Sequence, residues 1–134
     1  MSDSQLEEKL SELTRLDPRY DARAYAFIFD VLDYTIASLG RESKRGPDRH
    51  VSVHELLDGV RRFAIQEFGP LARAVLEKWG VYRTEDLGEI VFNMIDAGLL
   101  NAREEDDKSG FANGFSFRDE LERFDLEMHW EQIA

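Results

Sequence analysis

Residues 84–117 constrain the fold of this 134-residue chain more than any other stretch. Thr84 is followed by Glu85 and Asp86, and apolar residues then recur at Leu87, Ile90, Val91, Met94 and Ile95 before Gly98. That spacing predicts an amphipathic helix. The leading acids suit the positive end of its dipole, and glycine is the usual residue just past such a helix. Glu85, Glu89, Asn93 and Asp96 stand opposite the apolar positions and form an acidic outward face. A charged run follows, Glu104-Glu105-Asp106-Asp107-Lys108, then a glycine-rich return through Gly110 and Gly114 to Phe115-Ser116-Phe117. Two short strand-like runs around that loop predict a hairpin.

Four further helices precede this segment. Over residues 4–16, Ser4 and Glu7 match a capping box and Leu6, Leu10 and Leu13 form a narrow stripe. Asp17-Pro18 ends it, because the residue before proline is driven out of the helical region. Asp21 caps a second helix to about residue 39, where Tyr25, Ile28, Phe29, Leu32, Ile36 and Leu39 share a face that Phe27, Val31 and Tyr34 widen. This is the predicted central helix. Ser52 and Glu55 form a capping box for a third helix to Phe68. Pro70, after Gly69, suits the first position of a fourth helix to Trp79.

These elements predict one mainly α domain over residues 1–134, with a small β-hairpin or a three-stranded sheet in which His50-Val51-Ser52 supplies the third strand. A helix followed by such a hairpin resembles the last helix and wing of a winged helix-turn-helix domain. The predicted core contains Phe29, Leu32, Ile36, Leu57, Val60, Val75, Ile90, Val91, Met94 and Ile95. Residues 41–49, with Gly46-Pro47 and four basic side chains, read as a mobile linker loop. Residues 125–134 read as a variable tail, in which the alternation of Leu126, Met128 and Trp130 suggests an extended segment docking on a surface.

Acids outnumber bases 28 to 17, for a formal net charge of -11. Nucleic-acid binding takes much of its affinity from neutralising phosphates with Lys and Arg, so the balance disfavours it. With no cysteine there is neither thiolate chemistry nor a disulfide. An acidic start without an apolar stretch shows no signal peptide, and no apolar run is long enough to span a bilayer. A cytoplasmic protein is expected.

Asp17-Pro18-Arg19-Tyr20, His50-Val51-Ser52, Phe68-Gly69-Pro70 and Trp79-Gly80 resemble landmarks of a small bacterial family of uncharacterised proteins. The most specific match is Thr84-Glu85-Asp86-Leu87-Gly88-Glu89-Ile90-Val91-Phe92-Asn93 through Ala97-Gly98-Leu99-Leu100, and the resemblance covers residues 5–120. It implies a complete bacterial protein and supplies no catalytic residue, cofactor or substrate.

His50 and His54, an i, i+4 pair, are the metal candidates, but Ser52 caps the helix between them and no H-E-x-x-H is present. They read better as polar residues near a helix start. Asp30 and Asp33 could serve as paired carboxylates, although ion pairs to Arg23 or another arginine explain them more simply. Trp79, Phe92 and Phe111 are candidate aromatic anchors, at best one of them exposed. No phosphate-binding glycine loop or nucleophile motif occurs. No catalytic, cofactor-binding or metal residue is therefore assigned, and no cofactor is expected.

The favoured reading is a non-catalytic protein-interaction module on the winged-helix-like scaffold. It presents Glu85, Glu89, Asn93 and Asp96 to a basic protein partner. The first alternative is a nucleic-acid-binding regulator using a basic surface from helices three and four, with Arg41, Lys44, Arg45, Arg49, Arg61 and Arg62 as the patch. The second is an enzyme of unknown type. No membrane partner is expected, and the oligomeric state is open.

Overall fold

The computed structural model describes residues 2–101 and 107–121. The helices are α1 (Asp3–Leu16), α2 (Ala22–Ser38), α3 (Val53–Phe68), α4 (Ala72–Lys78), α5 (Thr84–Asp96) and the single turn α6 (Phe117–Glu120). Short 3-10 turns lie at Gly46–Arg49, Gly69–Leu71 and Lys108–Phe111.

Capping residues set most boundaries. The α3 box forms as its sequence requires: Glu55 N donates to Ser52 Oγ at 3.1 Å, and Ser52 N donates to Glu55 Oε1 at 3.0 Å. Asp21 accepts from Arg23 N at 2.9 Å and starts α2. At α1 the box sits two residues earlier than the Ser4–Glu7 pattern suggests. Ser2 and Gln5 close it, because Gln5 can also offer an acceptor to a backbone N–H.

The buried face of α2 is turned from the predicted one. Ala24, Tyr25, Phe27, Ile28, Val31 and Thr35 are buried, whereas Phe29, Leu32 and Ile36 are half-buried and Leu39 is exposed. The rotation follows from its closest neighbour. Helix α3 presents Gly59 to α2, where a β-carbon would overlap Thr35 Oγ1 and lie 3.4 Å from Val31 Cγ1. A small residue allows the two backbones to approach, and that contact selects which side of α2 faces inward. Around it, Phe27 packs against Phe63, Phe68 and Trp79 with ring centroids 5.6–5.9 Å apart. From the predicted core, Leu57, Val60, Ile90, Val91 and Met94 are buried, while Val75 and Ile95 are half-buried.

The described residues contain no strand, which overturns the predicted β-hairpin, the three-stranded sheet and the winged-helix-like architecture. Residues 107–121 form only local turns among themselves and are anchored on α5. Phe111 is buried against Gly88, where an added β-carbon would meet its ring at 2.9 Å. Thr84 Oγ1 donates to Phe111 O at 2.6 Å and accepts from Gly114 N at 3.0 Å. A strand pair needs its backbone groups for its partner; here a side chain takes them. Phe115-Ser116-Phe117 is no strand either, since Ser116 caps α6 and Phe117 is buried. His50-Val51-Ser52 is the extended entry to α3.

The 41–49 segment is tied at its start. Arg41 Nη1 donates to Glu55 Oε1 at 2.9 Å and to His50 O at 3.1 Å, while residues 42–49 are exposed. The acids 104–106 and the tail 125–134 lie outside the described residues.

Candidate functional site

The α1–α2 connection repeats one local device twice. In Asp17-Pro18-Arg19 and in Asp21-Ala22-Arg23, the aspartate accepts the backbone N–H and the guanidinium of the arginine two residues on. Asp17 takes Arg19 Nε and Nη2, each at 2.9 Å, and Asp21 takes Arg23 Nε at 3.0 Å and Nη2 at 3.1 Å. Each is an Asx turn closed by a two-pronged ion pair.

The first of these turns is the hub of a polar network on α5. Asn93 Nδ2 donates to Asp17 Oδ2 at 2.8 Å and to Tyr25 Oη at 3.1 Å. Arg19 Nη2 lies 3.5 Å from Glu89 Oε2, which also takes Lys108 Nζ at 3.2 Å. Tyr20, buried beneath the Arg19 guanidinium, donates from Oη to Asp86 Oδ1 at 2.6 Å. The other oxygen of Asp86 accepts Tyr82 N at 2.9 Å, which ties the chain entering α5 to its first turn.

Every resolved shift in this network drives a group deeper into its charge state at neutral pH. The Arg19 guanidinium, reinforced by Asn93, holds Asp17 down at about 2. The Asp17 carboxylate raises Arg19 further above its usual range. Burial, with the bond to Asp86, raises Tyr20, and burial raises Tyr25. General acid–base work needs a group poised near the working pH, and none of these four groups moves that way.

Beside the network lies a groove of about 570 Å³ between α1 and α5. One wall is Lys9, Glu12, Leu13 and Leu16, the i, i+3, i+4, i+7 row of α1; the other is Asn93, Asp96 and Ala97, an i, i+3, i+4 row of α5. Asp17 and Arg19 close one end. Both cations in the lining are engaged by the chain itself, Lys9 Nζ with Ala97 O at 3.2 Å and Arg19 with Asp17 and Glu89. Glu12 pairs with Arg15 at 3.8 Å, both well exposed, and Asp96 is exposed. Leu16 projects at the rim with 65% of its surface accessible.

The predicted interaction face is thus divided. Asn93 and Asp96 line the groove, Glu89 is half-buried in ion pairs, and Glu85 is half-buried beside Thr84 Oγ1 at 3.3 Å. In the predicted basic patch, Arg41 is committed to Glu55, and Arg61 and Arg62 both pair with Asp58, at 2.9 and 3.0 Å. Lys44, Arg45 and Arg49 are exposed, Arg49 donating to Glu42 O. Asp30 and Asp33 are exposed, and Arg23 turns to Asp21 rather than to them. His50 is half-buried ahead of α3 and His54 is exposed in its first turn. Of the aromatic candidates, Phe111 is buried, and Trp79 and Phe92 are half-buried. The Asp17–Arg19–Asn93–Tyr25 network escaped sequence reasoning. The tandem Asp-x-Arg pattern was the signal that could have found its first half.

No family model matches the chain, and neither a curated protein nor a solved structure matches it. Among the described residues no helix is long and apolar enough to cross a membrane.

Proposed function

We propose that this protein is a non-catalytic protein-interaction module whose contact surface is the groove between α1 and α5. One observation carries the reading. The groove combines an exposed leucine, Leu16, with two outward carboxylates, Glu12 and Asp96, while its own cations are already satisfied within the chain. An apolar centre within a polar, solvent-accessible rim is the usual anatomy of a protein contact. The locked ionisation of the neighbouring network supports a scaffold that holds shape over one that moves protons. A net charge of -11 favours a basic partner, through faster encounter and rejection of acidic competitors.

The test is site-specific photo-crosslinking in native cells, with a benzophenone amino acid replacing Leu16 and, as a control, the exposed Ala26 on α2. Discrete protein adducts from position 16 and none from position 26 are expected. Absence of adducts at position 16 would overturn the assignment of this surface.

A further inference from the structure

The geometry points to a basic amphipathic helix as the occupant of the α1–α5 groove; this rests on the interaction-module reading and specifies its partner. Both walls are single helical rows. Lys9, Glu12, Leu13 and Leu16 rise along α1 at successive turns, and Asn93, Asp96 and Ala97 do the same along α5. Two neighbouring helical ridges leave a furrow whose period matches the side chains of a third helix, the arrangement by which helices pack and bundles grow. An extended strand, with a period of two, does not match such rows.

The chemistry of the occupant follows from the lining. Leu13 and Ala97 offer an apolar floor, and the exposed Leu16 an apolar rim, for leucine-like residues spaced three and four apart. Glu12 stands on one wall and Asp96 on the other. Both are open to solvent, and Glu12 has no more than a long, exposed pair with Arg15 at 3.8 Å. A helix seated between them gains from Lys or Arg on both flanks of its apolar stripe. Arg19 is paired with Asp17 and Glu89, and the one remaining cation of the lining, Lys9, held by the neutral Ala97 O, is outweighed by the Glu12 and Asp96 carboxylates. An acidic helix would face Glu12, Asp96 and the net negative charge of the whole chain.

The experiment measures fluorescence anisotropy of a labelled peptide of about 16 residues, long enough for four turns. It carries leucines at i, i+3, i+4 and i+7, flanked by lysine and arginine. Comparison peptides have either the leucines replaced by serine or the basic residues replaced by glutamate. Binding of the basic amphipathic peptide alone is expected. Affinity should fall about tenfold in Glu12→Lys/Asp96→Lys and again in Leu16→Ser. It should hold within about twofold in Asp30→Lys/Asp33→Lys, which makes the same change of net charge on the exposed side of α2.

Equal losses in the two charge-reversed proteins would reduce the effect to general attraction and overturn the proposal. So would retention of affinity by the serine peptide. Self-association that Leu16→Ser abolishes, seen by sedimentation, would assign the groove to a second copy instead. If the peptide does not bind while position 16 still forms protein adducts in cells, the helix is refuted and the interaction module stands.

Discussion

Replacing Gly59 with alanine tests the packing that sets the whole α-helical core. Gly59 lies inside α3, where alanine is ordinarily favoured over glycine by about 1 kcal/mol. On propensity alone the substitution stabilises the protein. The structure predicts the reverse. The new methyl would overlap Thr35 Oγ1 and sit 3.3 Å from Thr35 Cβ, and Thr35 is only 4% exposed, so it has nowhere to turn. Overpacking of this kind costs about 1–3 kcal/mol. Taking the upper end, because the contact is between two helix interiors, the net loss is about 2 kcal/mol.

Thr35→Ala removes the overlapping oxygen. It also removes a buried hydroxyl that has no hydrogen-bond partner among the described residues, so its own cost is small. In that background Gly59→Ala should be neutral or stabilising, giving a coupling of about 2–3 kcal/mol in a double-mutant cycle. Thr35→Val keeps the bulk without the hydroxyl and should keep the penalty, which separates steric overlap from lost polarity. Urea denaturation followed by circular dichroism reads all of these as shifts in midpoint at constant m. A stabilised Gly59→Ala, or a cycle with no coupling, would refute the close approach of α2 and α3.

Three further outcomes are expected. Thr84→Val leaves Phe111 O and Gly114 N without their shared partner; it should cost about 1–3 kcal/mol in urea, and a loss below about 0.5 kcal/mol would show that these bonds do not hold residues 107–121 on α5. Asp17 and Glu55, each held at about 2 when folded, contribute stability present above their unfolded values near 4 and lost as pH falls toward 2. After allowing for solvent screening each is worth on the order of 1–2 kcal/mol, so Asp17→Asn/Glu55→Gln should flatten the fall in melting temperature between about pH 5 and 3; an unchanged slope there removes the two ion pairs as the cause. Within residues 41–49, limited trypsin digestion should cut after the exposed Lys44, Arg45 or Arg49 before Arg41, whose guanidinium is tied to Glu55 and His50 O; early cleavage after Arg41 would mean that anchor is open in solution.

Helices were legible because their signals are local. Ser52 with Glu55, Asp21 and Gly69 mark boundaries through bonds spanning a few residues and stand where the sequence suggests, whereas Pro70 lies in a 3-10 turn and α4 starts two residues later, at Ala72. The hairpin failed because its signal was local and its fate was not. Phe111 and Gly114 look like a glycine-rich return until Thr84, 27 and 30 residues away, takes their backbone groups. The face of α2 failed for the same reason, since only the absent side chain of Gly59 makes Thr35 an interior position. At the candidate site Asn93 and Asp96 could be placed from α5 alone. Their neighbours on α1 could not, because no periodicity in residues 3–16 says which helix it will lie beside.

Helix α1 buries a single side chain, Leu13, and reaches α5 through Lys9 and Ala97, 88 residues apart, and through the turn at Asp17, 76 residues from Asn93. Contacts that close so long a stretch of chain form late in folding, after the elements they join. With so little apolar surface to lose, α1 should open at a lower free energy than α2 or α5. Its amides should exchange with solvent before those of α2 and α5, and equal protection of all three would contradict this. The groove therefore exists only in the fraction of molecules whose first helix is seated. Any partner that enters it shares its binding energy with that docking step and slows exchange in residues 3–16, including amides it never touches.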